Sequence, residues 1–121
     1  MITIKEKTEE EGLRIARLIL EERPRATAVL CMDQIADPVL RAFEATGVRI
    51  PADLSFMSWN RVHTERRPVG ITSVCYDDYA LGVRRAVRLL ELIEHPGQNG
   101  EEQEFAAPFL VERASTAPPP G

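Results

Sequence analysis

The fold of this chain is decided by the stretch ATAVLCMDQIADPVLRAFEATG, which covers residues 26–47. It opens with a nearly continuous apolar run, which is typical of a strand buried on both faces of a parallel sheet. Apolar residues at helical spacing then continue up to Gly47, a natural residue to follow the end of a helix. Asp37 and Pro38 suit the cap and the first position of that helix, which favours a start there over a start at Asp33. The stretch therefore predicts a buried strand followed closely by a helix.

The region before this stretch predicts a short strand and a well-marked helix. Residues 2–5 alternate apolar and polar side chains, as a half-buried strand does. Thr8 is placed to cap a helix, and Glu11 follows at the spacing that closes a capping box. The helix is predicted to end at 23–24, and its apolar stripe consists of Leu13, Ile15, Ala16, Ile19 and Leu20.

The region after it adds further strands and one long helix. Asp77 or Asp78 is expected to cap this helix, which ends before 95–97. Strands are predicted at 54–59, 71–74 and 105–111, and polar loops at 60–70 and 98–103. Such an alternation of strands and helices predicts an α/β fold with a mostly parallel sheet flanked by helices.

Composition sets broad limits on the class of protein. The 121 residues are 44% hydrophobic and 28% charged, which describes a globular domain. The net charge of -4 argues against a nucleic-acid-binding module, which normally carries a basic face. No apolar run approaches the length of a membrane span, no secretory signal opens the chain, and two cysteines are too few for a disulfide scaffold. We therefore expect a cytoplasmic protein without membrane contact.

Catalysis and metal binding find little support in the sequence. A nucleophilic site would pair Cys31 or Cys75 with His63 or His95, but no local signature brings these residues together. The spacing of these cysteines and histidines matches no zinc pattern, and no glycine-rich loop follows a strand to hold a phosphate group. We therefore predict no enzymatic activity, no metal and no cofactor.

Short polar residues at two strand ends indicate a ligand site. Asp33 and Asn60 each follow an apolar strand, and parallel α/β sheets bind ligands at the carboxyl ends of their strands. Carboxylate and amide groups can hydrogen-bond the hydroxyls of a sugar, and Trp59 offers an apolar face to a sugar ring or a base. Two structural alternatives stay open, since Asp33 can serve only as a helix cap and Trp59 only as a core residue.

Five segments together resemble the effector domains of lac repressor-type transcriptional regulators, the LacI/GalR family. Each motif alone is weak, but all five occur in the family's order with similar spacing and cover nearly the whole chain. The segments are TAVLC, DQIA and VLRA within 27–42, GVRIPADLS over 47–55, ITSV over 71–74, the LG, A and LL positions of the helix within 81–90, and LVERAST over 110–116.

The resemblance implies the C-terminal lobe of a two-lobed fold of the type I periplasmic sugar-binding class. Residues 1–113 would form part of this effector-binding domain, and about 76–107 would belong to the other lobe in the full protein. The helix over 77–94 would then need a partner for its apolar face. A helix-turn-helix that binds DNA would lie outside this chain, and residues 114–121 are expected to form a disordered, proline-rich tail.

The resemblance also places the effector contacts at two turns. The first turn carries Met32 and Asp33, where relatives often have Asn-Asp or Gly-Asp. The second carries Trp59 and Asn60, and Asn60 replaces an aspartate that accepts hydrogen bonds from sugar hydroxyls. The implied partner is a small effector, a sugar or a nucleobase-like molecule, and the change at Asn60 argues against a standard sugar.

A dimer interface is the second feature that the resemblance implies. The helix at this interface would be the one that contains Pro38, at a position where relatives have glycine. On that helix, Asp37, Leu40 and Arg41 would face the partner copy. The loop over 61–68 would contribute beside them. We therefore expect a homodimer.

These observations favour the effector-binding and dimerising portion of a bacterial transcriptional regulator. The main alternative is part of a periplasmic solute-binding protein of a sugar transporter, which shares the two-lobed fold. A free-standing α/β enzyme is a third possibility of a different class.

Overall fold

The computed structural model describes residues 8–22, 26–60, 69–97 and 106–119. Within these ranges the chain forms three helices and four strands. In chain order they are α1 (Glu9–Glu22), β1 (Ala28–Met32), α2 (Asp33–Ala45), β2 (Ser55–Trp59), β3 (Thr72–Cys75), α3 (Asp78–Glu94) and β4 (Phe109–Val111). The strand predicted at 2–5 and most of the loop predicted at 60–70 lie outside the described residues.

The strands form one sheet in the order β1-β2-β3-β4, and both β1 with β2 and β2 with β3 pair in parallel. Parallel neighbours need a crossover connection, which α2 supplies between β1 and β2. The same helix packs against α1 and contacts both of these strands. The predicted α/β fold with a mostly parallel sheet is therefore confirmed.

The predicted cap of α1 is present, and its predicted apolar stripe is partly correct. The backbone N–H of Glu11 donates to the hydroxyl of Thr8 at 3.2 Å, as a capping residue requires. Three members of the stripe are buried, namely Ile15, Ala16 and Ile19. The other two, Leu13 and Leu20, are about two fifths exposed. The buried face of α1 is thus narrower than the sequence predicts.

The prediction that α2 starts at Asp37 and Pro38 is wrong. The helix begins at Asp33, directly after β1, and Pro38 lies inside it. An earlier start places Ile35 and Ala36 on the buried face, where their exposed fractions are 1% and 0%. Burial of these two side chains outweighs the local capping preference of the Asp-Pro pair, because apolar burial stabilises by more than a cap does.

The close approach of α1 to α2 depends on Gly12. A Cβ atom at this position would lie 2.6 Å from the carbonyl carbon of Pro38 and 2.9 Å from its oxygen. Both distances are shorter than van der Waals contact, and both involve backbone, which cannot rotate away as a side chain can. The absence of a side chain at Gly12 therefore permits the two helices to pack at this separation.

The prediction that β1 is buried on both faces is also wrong. Cys31 is 8% exposed, whereas its neighbours Leu30 and Met32 are 56% and 49% exposed. Successive side chains of a strand point to opposite faces, so one face of β1 lies against the helices and the other is open. The sequence alone could not reveal this, because β1 itself (Ala28–Met32) contains no polar residue to mark the open face.

The chain divides into two compact units, Met1–Cys75 with Leu110–Gly121 and, separately, Tyr76–Phe109. The second unit contains α3, whose N-cap Asp77 accepts a hydrogen bond from the backbone N–H of Ala80, as predicted. None of the α3 residues is buried. The boundaries of this unit lie close to the predicted segment 76–107, and its membership of another lobe stays a prediction.

The prediction of a disordered tail over 114–121 is wrong for its first part. Ser115 is fully buried, and its backbone C=O accepts from the N–H of Phe56 at 2.8 Å. Its hydroxyl donates to the C=O of Phe56 at 2.5 Å and accepts from the N–H of Thr72 at 2.8 Å. Ala117 exchanges two further hydrogen bonds with the Ser55 hydroxyl. Residues 115–117 therefore form hydrogen bonds with the amino-terminal ends of both β2 and β3.

Replacement of Gly12 by alanine tests the helix contact. We expect Gly12→Ala to lower the free energy of unfolding by about 1–3 kcal/mol, because overpacking forces the backbones apart. The matched control is Gly82→Ala in α3, where the added methyl group meets no atom within 4 Å. Urea denaturation followed by the fluorescence of Trp59 measures both, and an equal response of the two variants would contradict the proposed contact.

Replacement of Ser115 by alanine tests the role of the tail. The change leaves the buried N–H of Thr72 without its partner, and we expect a loss of about 1–3 kcal/mol in unfolding free energy. Removal of residues 119–121 is the control and should have no measurable effect. Equal stability of Ser115→Ala and the unmodified chain in thermal denaturation would show that the hydrogen bonds of Ser115 do not stabilise the fold.

Candidate functional site

The carboxyl ends of β1, β2 and β3 bring together three side chains in one row. The strand register pairs Met32 with Trp59 and Trp59 with Val74. Residues paired across parallel strands point to the same face, so the three side chains lie next to one another. We call these three residues the edge row. It occupies the edge at which parallel α/β sheets bind ligands.

The orientation of the edge row follows from packing on the opposite face. Phe56 is fully buried and meets Phe43 of α2 edge to face, with ring centroids 6.4 Å apart and planes at 78°. Since side chains alternate along a strand, Trp59 must point away from the helices. Its exposure is intermediate, and that of Met32 is 49%. Trp59 therefore does not belong to the core that α2 covers, which was one of the two structural alternatives left open by the sequence.

Asn60 follows β2 in a left-handed backbone conformation, with φ at 71°. Asparagine tolerates this region better than most residues. Two hydrogen bonds hold the turn, since the Asn60 N–H donates to the C=O of Val74 at 2.8 Å and its C=O accepts from the Ser58 hydroxyl at 2.9 Å. The Ser73 hydroxyl lies 2.8 Å from that of Ser58. The turn is thus fixed before any ligand arrives.

The sequence predicts Asn60 but not the two serines that support it. Ser58 and Ser73 are both fully buried and face each other in the strand register. A small polar residue in the middle of an apolar strand is the only signal that could have identified them. Their hydroxyls satisfy polar atoms that would otherwise be buried without a partner.

Asp33 is the first residue of α2, immediately after Met32 at the same edge. The backbone therefore brings the predicted pairs at 32–33 and 59–60 to adjacent strand ends, since Met32 and Trp59 are register partners. The position of the Asp33 side chain lies outside the described residues. Its predicted role in effector binding stays a prediction.

Of the three predicted dimer residues, Arg41 is exposed, Asp37 is partly exposed and Leu40 is buried. Arg41 pairs with Asp37 one turn away and with Glu9 of α1, each at 2.9 Å. Leu40 is only 2% exposed and belongs to the core of its own chain. The prediction that Leu40 faces a partner is wrong, because it lies four residues after the buried Ala36 and hence on the same helix face.

The two candidate nucleophiles, Cys31 and Cys75, are both buried free thiols. Burial raises the pKa of the Cys31 thiol to about 11, which opposes formation of the reactive thiolate. His63 lies outside the described residues. No group of three or more His, Cys, Asp or Glu side chains in the described ranges could hold a metal ion. None of the described helices is long and apolar enough to cross a membrane.

The order of helices and strands and the parallel pairing define an α/β domain. The family described as periplasmic binding protein-like domain matches residues 2–116, and the chain belongs to this family. The similarities to individual repressors that follow confirm the resemblance to lac repressor-type effector domains.

Comparisons with individual proteins give the same assignment. The HTH-type transcriptional repressor PurR of Klebsiella pneumoniae is 31% identical over 113 residues, 92% of this chain and 33% of that protein. A LacI family regulator from Enterococcus faecalis with bound ribose superposes with a TM-score of 0.79 at 30% identity, over 93% of this chain and 42% of that one. The dimeric lac repressor with an 11-residue C-terminal deletion gives 0.77 at 28%, over 93% and 42%.

The chain spans about a third or less of the length of the curated relatives that it matches, 28% and 33% in two cases. The similarity therefore describes one part of those proteins. The family match over 2–116 includes all four strands and the edge row.

Proposed function

We propose that this chain is the effector-binding and dimerising portion of a ligand-controlled transcriptional regulator that acts in the cytoplasm. The observation that carries the proposal is the family match over 2–116 together with relatives named as repressors. Its charge of -4 fits a part that does not itself contact DNA. DNA would be bound through a helix-turn-helix elsewhere in the protein.

The mechanism that fits this architecture is a population shift. An effector that binds at the edge row would favour a closed arrangement of two lobes over an open one. It can shift this equilibrium only by the difference in its affinity for the two states. The closed and open states would present the DNA-binding heads of a dimer differently. The solute-binding alternative shares the lobe closure, but the named relatives are transcriptional repressors, which favours the regulator.

The apolar face of α3 supports a second lobe. Four exposed apolar residues of this helix recur at helical spacing, and Leu89 is exposed beside them: Val83, Val87, Leu90 and Ile93, which are 47%, 50%, 59% and 64% exposed. A contiguous apolar stripe of this kind marks an interaction surface. We infer that the rest of the protein covers it, in agreement with the predicted membership of 76–107 in the other lobe.

The exposed part of α2 supports the dimer. Asp37 and Arg41 present paired charges beside Glu9, and isolated exposed pairs of this kind contribute only about 0–1 kcal/mol to the stability of one chain. Leu40 is not part of the proposed interface, because it is buried in its own chain. Charge pairs at the rim of an interface act mainly on partner choice and register, which is the role we assign to this group.

The regulator is tested by DNA binding. We expect the complete gene product to bind DNA from its own promoter region in gel-shift experiments, with an affinity that changes when effector is added. The present chain of 121 residues, with its charge of -4, should show no specific shift. Specific binding by this chain at submicromolar concentration would contradict the proposal, and an export signal in the gene product would favour the solute-binding alternative.

The dimer surface is tested by charge reversal. We expect Arg41→Glu to raise the dimer dissociation constant by about tenfold, because it places like charges beside Asp37 and Glu9. Arg49→Glu is the matched control, since Arg49 is also exposed and also pairs with an aspartate, Asp53. Sedimentation velocity over a concentration series measures both. The surface is assigned wrongly if the two variants weaken the dimer equally.

A further inference from the structure

Two buried serine hydroxyls lie in line between two backbone carbonyl groups. The Oγ atoms of Ser58 in β2 and Ser73 in β3 are 2.8 Å apart, and neither residue is exposed. The Ser58 Oγ lies 2.9 Å from the C=O of Asn60, and the Ser73 Oγ lies 3.0 Å from the C=O of Ile71. The four oxygen atoms therefore form a continuous chain, which we call the hydroxyl relay, between the turn after β2 and the residue before β3.

The hydroxyl relay has three short oxygen contacts but only two hydrogen atoms to fill them, because each serine hydroxyl donates once. If both hydroxyls donated outward to the carbonyls, the two Oγ atoms would face each other at 2.8 Å with lone pairs alone, which is repulsive. The two hydrogens therefore point in the same direction. Either Ser73 donates to Ser58 and Ser58 to Asn60, or Ser58 donates to Ser73 and Ser73 to Ile71. Hydrogen bonds in series polarise one another, so the two hydroxyls change direction together.

Arg113 favours one of these two directions. Its Nη1 donates to the C=O of Ile71 at 2.6 Å. The backbone of Arg113 is held beside β3, since its N–H and C=O bond the Thr72 hydroxyl at 3.0 and 3.1 Å. A carbonyl that already accepts from a charged donor gains less from a second, neutral donor, because charge-assisted hydrogen bonds are the stronger ones. The hydrogens of the relay are therefore directed away from Ile71 and toward Asn60.

We propose that Arg113 positions the Asn60 turn through the hydroxyl relay, although the two residues follow different strands. With the guanidinium on Ile71, Ser73 donates to Ser58, and Ser58 holds the Asn60 carbonyl. Ile71 is only 2% exposed, so without the guanidinium its carbonyl needs a hydrogen from the relay. The relay then reverses, and the Asn60 carbonyl loses its hydroxyl. The relay acts on the turn itself and operates whether or not the chain binds an effector.

The Asn60 turn is a place where such support matters. Its φ of 71° lies in the left-handed region, which side chains other than glycine adopt at a cost in energy. A backbone in this region persists only where its surroundings hold it. Release of the Asn60 carbonyl therefore loosens the turn, and Arg113 is a positioning residue that acts on it through Ser73 and Ser58.

Amide hydrogen exchange of the 121-residue chain, followed by NMR, measures the turn directly. The reporter is the N–H of Asn60, which bonds the C=O of Val74 at 2.8 Å. The reference is the N–H of Phe43 in α2, which lies outside the relay. The ratio of the two exchange rates separates a local opening of the turn from a loss of overall stability.

The two serines are expected to differ although they face each other. Ser58→Ala removes the hydroxyl that holds the Asn60 carbonyl, and we expect the ratio to rise about tenfold. Ser73→Ala leaves Ser58 with Asn60 as its acceptor, so the ratio should stay unchanged. The matched control is Ser55→Ala, which removes another buried serine hydroxyl of β2, one that donates to Ala117. It should also leave the ratio unchanged.

Arg113→Met tests the action over distance. The change keeps an apolar stem against Gly70 and removes the guanidinium. It should raise the ratio about fivefold in the otherwise unmodified chain, because the relay reverses. In the Ser73→Ala background it should have no effect, since no hydroxyl remains that could turn toward Ile71. Arg49→Met is the control, because that guanidinium bonds Asp53 outside the relay.

Two results would overturn the relay. Equal increases in Ser58→Ala and Ser73→Ala would show that the hydroxyls only stabilise the sheet. An effect of Arg113→Met that persists in the Ser73→Ala background would show that Arg113 acts through the tail instead. Near-ultraviolet circular dichroism confirms that each variant is folded. If Ser58→Ala does not fold, the comparison of Arg113→Met with and without Ser73 still decides the question.

Discussion

The contact between Phe43 and Phe56 is the constraint on which the rest of the described structure depends. Phe43 comes from α2 and Phe56 from the middle of β2, and both are fully buried. Their packing decides which face of the sheet receives the helices. Because side chains alternate along a strand, a slip of one residue would turn Phe56 outward and Trp59 inward. The core and the candidate site are therefore set by the same contact.

Much of the fold could be predicted because its periodic signals are strong and local. The apolar run before Asp33, the helical spacing up to Gly47 and the cap at Thr8 each predicted an element that is present. The start of α2 was predicted wrongly because a capping signal is local, whereas the burial of Ile35 depends on where the helix lies against the sheet. Element type follows from the sequence more readily than the exact boundary does.

The position of the candidate site could be predicted from the sequence, but the hydrogen bonds that hold its backbone could not. Trp59 and Asn60 are identifiable because they follow an apolar strand at the edge where ligands bind. The hydroxyl contact between Ser58 and Ser73 depends on strand register, which no residue spacing reveals. Leu40 shows the opposite case: it lies one helical turn after the buried Ala36, so its burial follows from helical spacing, whereas the resemblance places it wrongly at the dimer interface. The burial of Ser115 was hidden by the proline-rich composition that follows it.

The open face of β1 connects stability to binding. Leu30 and Met32 leave apolar surface in contact with water on this face, at a cost of about 25 cal/mol for each Å². Any arrangement that covers this face recovers part of that free energy, whether the cover is a bound molecule or another part of the protein. A molecule and a protein segment that cover the same surface compete for it, and they favour each other only where each buries surface that the other leaves open. In the regulator proposed above, an effector would therefore couple to conformation only through the surface that the closed state alone buries.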